Sequence, residues 1–169
     1  MTINELIKLI EQWAIDRELD TKATVIGQIQ KTAEEGAELL IGISKENREL
    51  IKDGIGDVFV TLVIGNMINR NHDLLKIYTG ANAFVKQINI KDNKTYYMSN
   101  VSNRIWDLFL FGTYTQNYLY ETIQILIMTA KYYGFTFEEC VESAYNEIAN
   151  RRGKMINGTF VKESELNVI

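Results

Sequence analysis

The 169-residue chain is 46% hydrophobic and 24% charged, with a net charge of −4 and a pI of about 5.1. This composition suits one sizeable core in a single domain, 1–169, and is too apolar for a disordered chain. The acidic balance argues against a stable nucleic-acid partner, which would call for surplus Lys and Arg, and the longest uncharged runs, 58–69 and 108–120, fall short of the roughly 20 apolar residues that cross a bilayer.

No basic-then-apolar signal pattern opens the chain, and the single cysteine, Cys140, has no internal disulfide partner, so a reducing cytoplasm is expected. Cys140 reads as packing within a helix. The one histidine, His72, lies in the polar stretch "NRNHD" and reads as a surface residue. With one His and one Cys, a His-based triad or a His-rich zinc site has little support.

Proline is absent, which removes the strongest helix breaker and predicts a mainly helical protein. In 3–19, Ile3, Leu6, Ile7, Ile10, Trp13 and Ala14 recur at threes and fours, an amphipathic helix. A second helix is predicted over 20–43, capped by Asp20 or Thr21, and a third over 46–70, with start signals at Ser44 and Asn47. The segment 72–93 reads as an irregular connection. Helices follow over 95–111 and 116–133, with Gly112 and Gly134 as stops, and a last helix starts at the Thr136/Glu139 capping-box pattern and ends before Gly153. Asn157-Gly158 between short apolar pieces signals a hairpin. No internal repeat is present. The fold class is all-α: a helical bundle with an extended middle segment and a short C-terminal hairpin.

Within the second helix, "KTAEEGAELL" (31–40) sets charge among apolar residues. At about 100° per residue, Glu38, Lys31 and Glu35 fall about 40°, 60° and 100° from Glu34, one acidic stripe shared with a lysine. Val25, Ile26, Ile29, Ala33, Ala37, Leu39, Leu40 and Ile41 take up the remaining circumference. Read alone, this is a solvated face with a Lys–Glu pair. The third helix adds Asp53 and Asp57, four apart and on one face of a segment apolar all round, as in a buried bundle helix. Gly54 and Gly56 beside them weaken the helix and would admit a close neighbour. A short turn near 44–47 would make the two helices antiparallel and bring their acidic faces together. Converging carboxylates repel unless a divalent cation sits among them, and all-oxygen ligation suits Mg²⁺, with Mn²⁺ as the alternative.

"EEGAEL", followed on the next helix by "DGIGDVFVTL", resembles the paired acidic motif of the all-α nucleoside triphosphate pyrophosphohydrolases, the MazG family. The motif there is E-E-x-x-E on one helix and E-x-x-D on the next. "WAIDREL" and "AYNEIANRRGKMINGTFVKE" resemble the phage-type members. The resemblance covers 1–70 and 136–163, and 72–134 reads as an insertion. Where the family has glutamate, this chain has Gly54, with Asp53 one place earlier. The resemblance implies metal ligation by Glu35, Glu38 and Asp57. Glu34 and Asp53 follow as ligands or as the base that orients an attacking water. It also implies phosphate and nucleotide contacts from Lys31, Asn146, Arg151, Arg152 and Lys154, although Ile148 stands where the family often has a lysine. The plain reading of that basic cluster is helix-dipole complementation. Trp13 suits either base stacking or the core.

The implied activity is Mg²⁺-dependent hydrolysis of a nucleoside or deoxynucleoside triphosphate to monophosphate and pyrophosphate, by a dimer or tetramer. Two rivals stand beside it: a nucleotide- or metal-binding regulator inactivated by Gly54, and a structural helical oligomer with solvated acids. A ferritin-like di-metal oxidase fits poorly, since it calls for E-x-x-H pairs.

Overall fold

The computed structural model describes residues 1–69, 72–156 and 159–163, with the backbone alone at 154, 155, 159, 160 and 162. Among these, eight α-helices carry the fold: α1 (Ile3–Ile15), α2 (Leu19–Lys22), α3 (Val25–Lys45), α4 (Arg48–Asn69), α5 (Leu74–Val85), α6 (Lys94–Phe111), α7 (Gln116–Tyr132) and α8 (Phe137–Ala149). Strands β1 (Gly153–Ile156) and β2 (Thr159–Lys162) pair antiparallel, with Ile156 opposite Thr159. The all-α reading and the hairpin strands hold. The predicted turn, Asn157-Gly158, lies outside the described residues. No helix among the described residues is long and apolar enough to cross a membrane.

Helix ends follow side-chain chemistry. Thr2 and Glu5 form a reciprocal capping box on α1. Thr136 Oγ1 accepts from the Glu139 N–H at 3.2 Å at the start of α8. Asn47 Oδ1 accepts from the N–H groups of Glu49 and Leu50, so Asn47 opens α4 while Ser44 stays inside α3. Two boundaries differ from expectation. The first long helix stops at Ile15, and Glu18 turns the chain with φ 59° into the short α2. The cap of α3 is then Thr24, whose side chain accepts from the Gly27 N–H, rather than Asp20 or Thr21. The stretch 72–93 is not irregular throughout: it holds α5, capped by Asp73 and anchored by buried Leu74, Ile77, Tyr78, Ala81 and Val85. Its apolar spacing is helical but interrupted by Thr79-Gly80, which hid the periodicity.

α4 is the central helix. Thirteen of its residues are buried, around its whole circumference, as the all-round apolar pattern predicted. It packs against α3 on one side and α8 on another, and glycines set the distances. A Cβ on Gly54 would lie 2.9 Å from Leu39 Cα, and one on Gly56 would lie 2.3 Å from the Cys140 carbonyl oxygen. Both backbones therefore touch only because no side chain intervenes. Cys140 is fully buried, and burial pushes its thiol up to about 12, which leaves it a packing residue. His72 is half-buried rather than on the surface. Its backbone N–H and carbonyl bond Asn66, and its Nε2 has no hydrogen-bond partner. The middle segment supplies α5, α6 and α7, which pack on the core through Tyr97, Tyr114 and Leu119 and frame a cleft of about 400 Å³ between Phe84, Tyr96, Asn100 and Glu121.

Candidate metal and nucleotide site

The acidic stripe of α3 lies where predicted, and Lys31 organises it. Its Nζ is 3.0 Å from Glu34 Oε2 and 2.8 Å from Glu35 Oε1. Burial pulls the Lys31 amine down, but its bonds to Glu35 and Glu34 outweigh that and the net shift is upward. The stripe is graded: the Glu35 side chain is 12% exposed against 62% for Glu34, and Glu38 is also exposed. Glu35 is thus the member that faces α4.

On α4, Asp53 and Asp57 share one face and are half-buried. Burial raises Asp53, and the charges of Glu147 and Glu49 add to it. Asp57 is pushed up to about 7, first by burial and then by the charges of Glu35, Glu147 and Asp53, with Arg151 alone pulling it down. The charges of carboxylates on three helices therefore act on Asp57: Glu35 on α3, Asp53 on α4 itself and Glu147 on α8. The cause is the glycine contacts. Gly54 draws α3 against α4, Gly56 draws α8 against it, and the charged residues flanking those contacts are brought together at the rim.

As they stand, the side chains do not enclose an ion. Among the described residues no three His, Cys, Asp or Glu side chains are gathered closely enough to hold one. The donor chemistry nevertheless fits a hard divalent cation, because the side chains on this face offer oxygen ligands only. Glu35 would have to exchange Lys31 for the metal.

The basic cluster divides. Arg151 is half-buried, forms an ion pair with Glu147, and sits near enough to Asp57 to lower its pKa. Its carbonyl accepts from Arg17 Nε and Nη2, at 3.0 and 2.7 Å, which pins the end of α8 to α1. Asn146 and Arg152 are exposed on the same end of α8, open to a ligand. Lys154 is on β1, and its side chain lies outside the described residues. Trp13 takes the core alternative. It is 8% exposed, its Nε1–H donates to the Ile148 carbonyl at 2.7 Å, and the Arg17 guanidinium covers its ring at 4.5 Å. Base stacking by Trp13 is corrected on this geometry: the apolar stripe of α1 turns the indole inward.

A protein of Haemophilus phage HP1 (strain HP1c1), described as "Uncharacterized 18.2 kDa protein in rep-hol intergenic region", is 46% identical to this chain over 70 residues. The match covers 41% of this chain and 42% of the phage protein, so the chain is similar to less than half of that relative's length. No family model matches the chain, and no solved structure does.

Sequence reasoning passed over Glu147. It stands beside the predicted Asn146, and its partner Arg151 is four residues on, a spacing that marks an ion pair on one helix face. That pair was legible, but its alignment with Asp57 was not, because it depends on how α8 seats on Gly56.

Proposed function

We propose that the chain is a Mg²⁺-dependent nucleoside triphosphate pyrophosphohydrolase that releases monophosphate and pyrophosphate. The observation that carries this reading is Asp57: a half-buried carboxyl whose pKa is raised first by burial and then by the charges of Glu35, Glu147 and Asp53. A crowded acidic face of this kind is costly in an unliganded fold and is relieved by a divalent cation. The resemblance of the two acidic motifs to the MazG family supplies the reaction class, and the likeness to a phage protein is in keeping with its phage-type branch.

In this reading Glu35, Glu38, Asp53 and Asp57 would hold the metal, which would offset phosphate charge and make a water more acidic. Glu34, at the outer edge of the stripe, accepts the proton of the attacking water. The water oxygen bonds to the α-phosphorus as the bond to the bridging oxygen breaks, and pyrophosphate leaves. Lys31, released from Glu35, together with Arg151, Arg152 and Lys154, offsets the triphosphate charge, and Asn146 hydrogen-bonds the nucleoside. The enzyme works in the cytoplasm as a homo-oligomer without nucleic acid as a stable partner.

A regulator that binds nucleotide without turnover is the second reading, favoured by one observation: Lys31 already neutralises Glu34 and Glu35. The test incubates the protein with the common ribo- and deoxynucleoside triphosphates and dUTP in Mg²⁺, and resolves monophosphate and pyrophosphate from diphosphate and phosphate. Glu38→Ala runs alongside, since an exposed side chain is removed there without unfolding the chain. Monophosphate and pyrophosphate from the wild type alone are expected. Binding without products selects the regulator, and neither binding nor products refutes both.

A further inference from the structure

α3 and α6 lie side by side and antiparallel. Lys94 at the start of α6 pairs with Glu46 at the end of α3, Ile105 sits against Gly36, and Tyr114 just beyond α6 bonds Thr32. Both helices leave apolar surface uncovered. On α3, Ile26 (58% exposed) and Ile41 (46%) end a stripe whose middle is Gln30, Ala33 and Ala37. On α6, Trp106, Phe109 and Leu110 are 71%, 46% and 77% exposed. The wheel sets Phe109 and Trp106 on the flank of α6 next to Ile105, so they border the alanines of α3. The result is one continuous face with a ridge of large side chains on α6 and a shallow trough of small ones on α3.

We infer that this face binds a second copy of the chain, the ridge of each subunit lying in the trough of the other. Three features select that occupant. The first is shape. A two-fold axis sets the same surface against itself, and a face with ridge and trough side by side is complementary to its own rotated copy. The second is charge. Neither stripe carries a charged residue, in a chain of net charge −4, so a second copy is not repelled here. A membrane-docking helix would carry Lys or Arg along its flank; α6 has Ser99, Ser102 and Asn103.

The third feature is area. With about 150–250 Å² for an aromatic side chain, these exposures sum to on the order of 500 Å² of apolar surface. A stable interface buries about 800 Å² per partner, about 65% of it apolar in homodimers, which is the amount present. The face borders the acidic stripe of α3, so the partner's α6 would lie beside Glu34 and Glu38. The inference names the surface for the oligomer proposed above and stands independently of the hydrolysis reading.

Sedimentation velocity over a wide concentration series tests it, on the wild type and on Trp106→Glu and Leu110→Glu. Both side chains are mostly exposed in the subunit, so far-UV circular dichroism should be unchanged. A reversible dimer is expected, with Kd raised about 30-fold or more in each variant, the loss that marks a central interface residue. Tryptophan emission should shift to shorter wavelength as the wild type associates, and Trp106→Phe should abolish that shift, since the other tryptophan, Trp13, is buried at all concentrations. A wild type that stays monomeric overturns the inference, whether or not it binds neutral phosphatidylcholine vesicles. A dimer that neither charge variant weakens overturns this face as its interface. A confirmed dimer that hydrolyses no nucleotide leaves the inference standing and removes the proposed reaction.

Discussion

Replacing Asp57 by asparagine should stabilise the metal-free protein at alkaline pH. In the folded chain the Asp57 carboxyl keeps its proton up to about pH 7, because burial and the charges of Glu35, Glu147 and Asp53 oppose ionisation. In the unfolded chain it releases that proton near 3.8. Between the two values the native state binds the extra proton, so the contribution of Asp57 to stability is full below about 3.8 and is lost as pH rises through about 7. A displacement from 3.8 to about 7 corresponds to about 4 kcal/mol at pH values above both. Water at the open side of this half-buried group reduces that to on the order of 2 kcal/mol. For a chain of this length the asparagine variant should then melt about 4–8 °C above the wild type at pH 8 in EDTA. At pH 4 the two should melt together. Arg151 keeps its pairing with Glu147 in the variant, so no cation is stranded. Adding Mg²⁺ at pH 8 should raise the wild type and leave the variant unmoved. A variant that melts at or below the wild type at pH 8 in EDTA would refute the charge-crowding argument, and with it the observation on which the hydrolase reading rests.

Two further substitutions separate packing from chemistry. Gly54→Glu restores the family motif in sequence, yet a Cβ there meets Leu39 Cα and Cβ at 2.9 Å; thermal melts should show a loss of about 3 kcal/mol or more and no gain of turnover, because overpacking and a buried carboxylate act together. Trp13→Phe keeps the ring but leaves the Ile148 carbonyl without its indole donor, which should cost about 1–3 kcal/mol in a denaturant titration while KM for nucleotide stays unchanged; a raised KM with unchanged stability would return Trp13 to the site.

The parts legible in the sequence were those written in local chemistry. Asn47, Thr136 and Gly112 end or begin helices where their side chains, or the lack of one, predict, and the all-round apolar run of α4 did mark the central helix. The acidic stripe with Lys31 was read correctly as a stripe. What failed was information held between helices. α5 was missed because its apolar positions are interrupted by the exposed pair Thr79-Gly80. The apolar circumference of α3 is not buried throughout, for Ile26 and Ile41 are open to solvent; periodicity shows which residues prefer burial and not whether a neighbour is there to bury them. Trp13 offered two readings on its stripe, and only the Ile148 carbonyl at 2.7 Å decides between them.

Where the chain differs from the motif it resembles, at Gly54, the difference has a physical basis in this fold. Position 54 points at the Leu39 backbone, so it belongs to the α3–α4 contact rather than to the acidic face. Position 53, one residue back and a helical turn from Asp57, does lie on that face, and both its carboxyl and that of Asp57 feel Glu147. The chain thus keeps its acidic charge around Asp57 while position 54 serves close packing. Bringing α3 that near to α4 is also what places Glu35 where it raises Asp57. A glutamate at 54 would push α3 away from α4, so in this fold glycine at 54 is a condition of the close helix contact that sets the charge of Glu35 against Asp57.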